Sequence, residues 1–74
     1  MAYNGHANWA QWNVSLWINN DERLYRMAQS YVHLFGKQLA AHGILNELLA
    51  NDERFTPDGA RYSVTAIRNA LRGL

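Results

Sequence analysis

The chain has no cysteine, a single proline and five glycines among its 74 residues. Without cysteine there is no disulfide framework, no thiolate metal site and no cysteine nucleophile. Charge is sparse too, at 18% of residues, with a formal net charge of +1. Three tryptophans, four tyrosines and two phenylalanines beside so little charge exclude the composition of a disordered chain. No apolar run approaches the ~20 residues that span a bilayer, so no membrane partner is expected. Met1-Ala2-Tyr3-Asn4-Gly5-His6 holds neither a basic residue nor an apolar stretch, unlike a signal peptide, and a cytoplasmic location is expected. Repeats and low-complexity segments are absent. The length predicts one helical domain, 1–74, with a thin core, since a domain this small buries only about 60% of the surface its unfolded chain exposes.

Hydropathy patterning predicts an all-α fold, a compact bundle of about four helices over about 9–19, 21–42, 44–51 and 63–73. The first segment reads two ways. Trp12, Val14, Leu16 and Ile18 alternate as in a strand, whereas Trp9, Trp12 and Leu16 share one helical face behind Asn8 as N-cap. No second strand is visible to pair with it, so a helix is expected, apolar around most of its circumference and largely buried. In the second helix Leu24, Ala28, Tyr31, Phe35 and Leu39 fall in one arc, opposite Glu22, Arg26, Gln29, His33 and Lys37. Asn20 is the expected cap. Gly36, on the polar side, is expected to weaken this helix without breaking it, and Gly43 to end it. Ile44, Leu45, Leu48 and Leu49 form the apolar side of a shorter helix, ended by Asn51-Asp52-Glu53-Arg54. Thr56-Pro57-Asp58-Gly59 reads as a reverse turn. Ser63 then caps a last helix whose Val64, Ile67, Leu71 and Leu74 keep 3, 4, 3 spacing.

Little in the chain points to catalysis. His6, His33 and His42 lack metal-ligand spacing, Ser15, Ser30 and Ser63 sit in no glycine-flanked elbow, and no glycine-rich loop could cradle a phosphate. No enzyme, catalytic residue, cofactor or metal is therefore expected. Charge is distributed unevenly. Residues 1–53 carry a net −2, while Arg54, Arg61, Arg68 and Arg72 against Asp58 give residues 54–74 a net +3. Those arginines are candidates to contact nucleic acid or an acidic protein surface, or else form a solvated helix flank favoured by the helix dipole. Asp52 and Glu53 lie at the helix end that the dipole disfavours for acids, which makes that corner a second candidate contact. Trp17 is rotated roughly 80° from Trp9 about the helix axis. It packs against a different helix or lies partly exposed, and in the latter case is an interface candidate. The chain is expected to be a monomer or a homodimer through the tryptophan helix.

Tyr3-Asn4-Gly5, Asn8-Trp9, Trp12-Asn13-Val14, Leu16-Trp17-Ile18, Asn20-Asp21-Glu22 and Leu24-Tyr25 carry a resemblance. The chain resembles small, largely uncharacterised proteins of phages, plasmids and other mobile elements, and Thr56-Pro57-Asp58-Gly59 resembles a turn in their C-terminal halves. Gln11 stands where that pattern has threonine, and the tail with Arg61, Arg68 and Arg72 is more basic than is usual in it. The resemblance supplies no activity and implies a setting, in which small single-domain proteins block host defences by binding. Anti-CRISPR proteins are similar in size and in lacking catalytic motifs. By that analogy the expected function is steric inhibition of a bacterial CRISPR-Cas complex in the host cell, preventing DNA binding or nuclease recruitment. The alternative is a small DNA- or RNA-binding regulator that uses the C-terminal arginines.

Overall fold

A computed structural model describes residues 7–74, and helix α1 begins where a cap is available. Asn8 lies extended outside the helix, and its Oδ1 accepts from the backbone N–H of Gln11 at 2.9 Å. That bond satisfies one of the donors every helix start leaves open. From there α1 runs Trp9–Asn20. Its buried face is Asn13, Val14 and Ile18, with Ala10 and Trp17 packed alongside. The spacing from Ala10 is i, i+3, i+4, i+7, i+8, an ordinary amphipathic stripe. The expected face of Trp9, Trp12 and Leu16 is therefore displaced: Trp9 and Leu16 are exposed and Trp12 is half-buried. An asparagine occupies the centre of the true stripe, which hides it from an apolar count. Asn20 closes α1 by donating to the Leu16 carbonyl at 2.7 Å, and the cap of the next helix is Asp21, whose Oδ1 accepts from Leu24 N–H at 3.0 Å.

Helix α2 spans Glu22–Ala50 and breaks at Gly36, where φ is 79° and ψ is 166°. That region of backbone space is essentially closed to residues with a Cβ. A straight helix would separate Tyr31 from Glu47 by about 24 Å at ~1.5 Å per residue. Instead the Tyr31 hydroxyl donates to Glu47 Oε1 at 2.7 Å, and Arg23 meets Glu53 at 2.7 Å nearer the open end. Limbs 22–35 and 37–50 thus form an antiparallel helical hairpin. The Tyr31 ring lies so close over Gly43 that a Cβ there would come within 2.6 Å of Tyr31 Cε1. The all-α expectation holds, with three α-helices among the described residues rather than about four. The break falls at Gly36, and Gly43 is a packing contact inside the second limb.

Moving the break by seven residues redistributes the core. Leu24 and Ala28 are buried from the first limb, and Ala40, Ala41, Ile44 and Leu48 from the second. Phe35 and Leu39 continue the predicted arc, yet they sit at the hairpin corner with Leu34, exposed by 53%, 65% and 69% respectively. After Ala50 the chain leaves through a Schellman motif. Glu53 N–H reaches the Leu48 carbonyl at 2.8 Å and Asp52 N–H the Leu49 carbonyl at 3.0 Å, with Asp52 at φ 60°. A short reverse segment follows, with one isolated β-bridge between Phe55 and Arg61 and no named strand among the described residues. Ser63 Oγ caps α3 (Val64–Ala70) by accepting from Ala66 N–H at 3.1 Å, and a 3-10 turn continues over Leu71–Gly73. Ala66, Ile67, Ala70 and Leu71 join Val14, Ile18, Ile44 and Leu48 in one apolar cluster.

Candidate functional site

A connected group of polar side chains joins α1 to the Thr56–Gly59 turn. Gly59 N–H donates to the Thr56 carbonyl at 2.9 Å, closing the turn, with Gly59 at φ 93°. The turn is docked by side chains 40 and more residues away in sequence. Asn13 Nδ2 and Trp17 Nε1 both donate to Asp58 Oδ2 at 2.9 Å. Thr56 Oγ1 donates to Asn13 Oδ1 at 2.6 Å and accepts from Ala60 N–H at 3.0 Å. Asn13 and Thr56 are both buried, and among the described residues no buried side-chain polar atom lacks a partner. The hydrogen bonds from Asn13 and then Trp17 hold the Asp58 carboxyl below its usual range. Here Trp17 is half-buried against the core, with its indole N–H committed to Asp58. This cluster is a structural clamp: its side-chain hydrogen bonds tie α1 to the turn and close within the fold.

The remaining charges divide into engaged and unengaged. All six carboxylates have partners within the fold. Glu53 pairs with Arg23 at 2.7 Å, Glu22 with Arg26 at 2.7 Å and Asp52 with Arg54 at 3.4 Å. Glu47 accepts from Tyr31, Asp21 caps α2 and Asp58 belongs to the clamp. The hydrogen bond to Glu47 pushes the Tyr31 phenol up, and burial does the same to Tyr62. Among the cations, Arg61 lies over the Phe55 ring with Cζ 5.9 Å from its centroid, and Lys37 Nζ donates to the Arg72 carbonyl at 3.0 Å. Arg68 and Arg72 are exposed and face no carboxylate.

Those two arginines share a cleft. Gln11 from α1 and Thr65, Arg68, Asn69 and Arg72 from α3 and its 3-10 extension enclose about 320 Å³. Thr65, Arg68, Asn69 and Arg72 are successive positions on one face at i, i+3, i+4 and i+7. The opposite face, Ala66, Ile67, Ala70 and Leu71, is buried. The Asn19 amide donates to the Ala70 carbonyl at 3.2 Å and fixes α1 against α3, so Gln11 is held opposite the arginines. Chemically the cleft offers two forked cations beside neutral hydrogen-bonding groups, an arrangement that receives carboxylate or phosphate. A second cleft of about 490 Å³, lined by Tyr25, Gln29, Val32, His33, Gly73 and Leu74, has no Arg, Lys, Asp or Glu side chain in its lining.

The sequence candidates are thus dispersed. Arg68 and Arg72 come together, whereas Arg54, Asp52 and Glu53 are held in ion pairs at the end of α2, and Arg61 covers Phe55. Gln11, Thr65 and Asn69 were not among the sequence candidates. The signal for Thr65 and Asn69 was present in their spacing from the arginines, while Gln11 joins only through the packing of α1 on α3. His33 and His42 are exposed, and among the described residues no group of three or more His, Cys, Asp or Glu side chains could hold a metal ion. His6 and Tyr3-Asn4-Gly5 lie outside the described residues. No helix among the described residues is long and apolar enough to cross a membrane. The model of a family of unknown function, DUF7249, matches residues 1–71. No curated protein and no solved structure matches the chain.

Proposed function

The chain belongs to DUF7249, a family of unknown function, and from that premise we propose that it is a non-enzymatic binding protein that acts by covering a partner's surface. The observation that carries this reading is the distribution of charge partners. Six carboxylates and five of the seven cations are engaged within the fold, and the two arginines left over stand side by side in one cleft. A fold that satisfies its own charges so fully and leaves one pair of guanidinium forks open is suited to receiving an anionic group from outside. The resemblance to phage and mobile-element proteins supplies the setting. The partner in this reading is a bacterial defence complex of the CRISPR-Cas kind, held off DNA or off its nuclease by steric occlusion.

The acidic corner is a weaker candidate contact than the arginine cleft, because Glu53 and Asp52 are already bonded to Arg23 and Arg54. The test is capture of partners by the tagged chain from bacterial lysate, with and without nuclease. A defined CRISPR-Cas complex that persists after nuclease treatment is the expected result. Nucleic acid alone, lost on nuclease treatment or at high salt, would instead establish the DNA- or RNA-binding regulator.

A further inference from the structure

We propose that the Arg68–Arg72 cleft receives a pair of carboxylates about one helical turn apart, presented by an acidic helical segment of a partner protein. This deepens the binding reading above and rests on it. Three observations on the molecule choose a protein carboxylate pair over a nucleic-acid backbone. The first is spacing: Arg68 on α3 and Arg72 on its 3-10 extension are four residues apart along one face, roughly one helical turn. Glutamates or aspartates at i and i+4 on a facing helix have the same spacing, so each guanidinium can fork onto one carboxylate.

The second is the number of cations available. Arg23, Arg26 and Arg54 are occupied by carboxylates and Arg61 lies over Phe55. Two open forks neutralise two phosphates, which gives a salt slope of only about −2, whereas firm backbone binding draws on roughly 6–10 contacts. The third is the α2 corner to which the end of the cleft is tied. Lys37 Nζ holds the Arg72 carbonyl at 3.0 Å, tying the end of the cleft to the α2 corner. Leu34, Phe35 and Leu39 flank that lysine in sequence and are exposed by 69%, 53% and 65%. Aromatic side chains and arginines are enriched at protein interfaces, and a phosphate backbone offers the exposed Phe35 nothing to pack against. The neutral wall supplied by Gln11 and Thr65 adds hydrogen-bonding groups for the outer oxygens of the carboxylates.

The test uses the full chain and an alanine-rich helical peptide bearing one Glu pair at i and i+4. The same peptide with Gln in both places and a short duplex DNA serve as competitors. Binding is followed by NMR at the Arg68 and Arg72 Nε–H and Gln11 side-chain amide signals. The Glu peptide is expected to shift these signals saturably and the Gln peptide to leave them in place. Arg68→Gln with Arg72→Gln should weaken the Glu peptide about tenfold or more, and Arg68→Lys with Arg72→Lys should fall between, because charge remains and the fork is lost. Indifference of peptide binding to the arginines, or preference for duplex DNA at physiological ionic strength, overturns the proposal. Failure here with a CRISPR-Cas complex still captured after nuclease treatment removes this site alone. A working peptide site with no such complex captured removes the inhibitor reading alone.

Discussion

The α1–turn clamp and the α3 cleft use similar residue types to opposite ends. In the clamp, Asn13, Trp17, Thr56 and Asp58 close on one another at 2.6–2.9 Å. In the cleft, Arg68 and Arg72 stand beside Gln11, Thr65 and Asn69 with no carboxylate before them. Asn13, Trp17 and the Thr56–Gly59 turn are also among the residues that carry the resemblance noted in the sequence. Their side-chain hydrogen bonds run within the fold, so that part of the resemblance reads as a requirement of architecture. Arg68 and Arg72, by contrast, are exposed.

The largest break in this contrast should come from the clamp. Asn13→Ala removes the partner of a buried hydroxyl and one donor to Asp58, and roughly 2–3 kcal/mol of stability should be lost in urea unfolding. Partner binding at the α3 cleft should survive under conditions where the variant remains folded. Gly36→Ala should cost about 2 kcal/mol, entirely through backbone strain, since a Cβ there meets nothing within 4 Å. D-alanine at the same position should restore stability, which separates strain from lost contacts. Asp52→Gly should act in the other direction, gaining about 1 kcal/mol, because it relieves a positive φ of 60° at the Schellman position and removes a carboxylate from a helix C-terminus.

Acid should reach the clamp through Asp58. Its folded pKa lies below the usual value near ~4, so its stabilisation is complete above that value and is lost as pH falls through the lowered one. Asp58→Asn should flatten that part of the stability profile. The smallest effect on folding belongs to the cleft. Arg68→Gln with Arg72→Gln should leave stability within about 0.5 kcal/mol, as exposed unpaired side chains do, by the same urea measurement.

Local chemistry was legible. Asn8 and Ser63 cap the helices assigned to them, Thr56-Pro57-Asp58-Gly59 makes its turn, and Ile67 and Leu71 are buried as their spacing requires. What could not be read depends on partners distant in sequence. Asn13 counts as polar until Thr56 and Asp58 arrive from more than 40 residues away. Gly36 looks harmless on a helical wheel because a wheel assumes the backbone continues, and the hairpin is stabilised by Tyr31 meeting Gly43 and Glu47. Phe35 and Leu39 then keep helical periodicity with a core that the chain has already turned away from. For the cleft, the arginine pair was visible in sequence, but its freedom from ion pairing follows only once all six acids are placed.

The most direct measurement is capture of the partner from nuclease-treated lysate by two forms of the chain at matched folded fraction, wild type and Arg68→Gln with Arg72→Gln. The account predicts that the double variant unfolds at the same urea concentration as wild type and loses the CRISPR-Cas complex. Undiminished capture by the double variant, or a collapse of its helicity, would contradict the claim that the fold needs the clamp while the partner needs the open arginines.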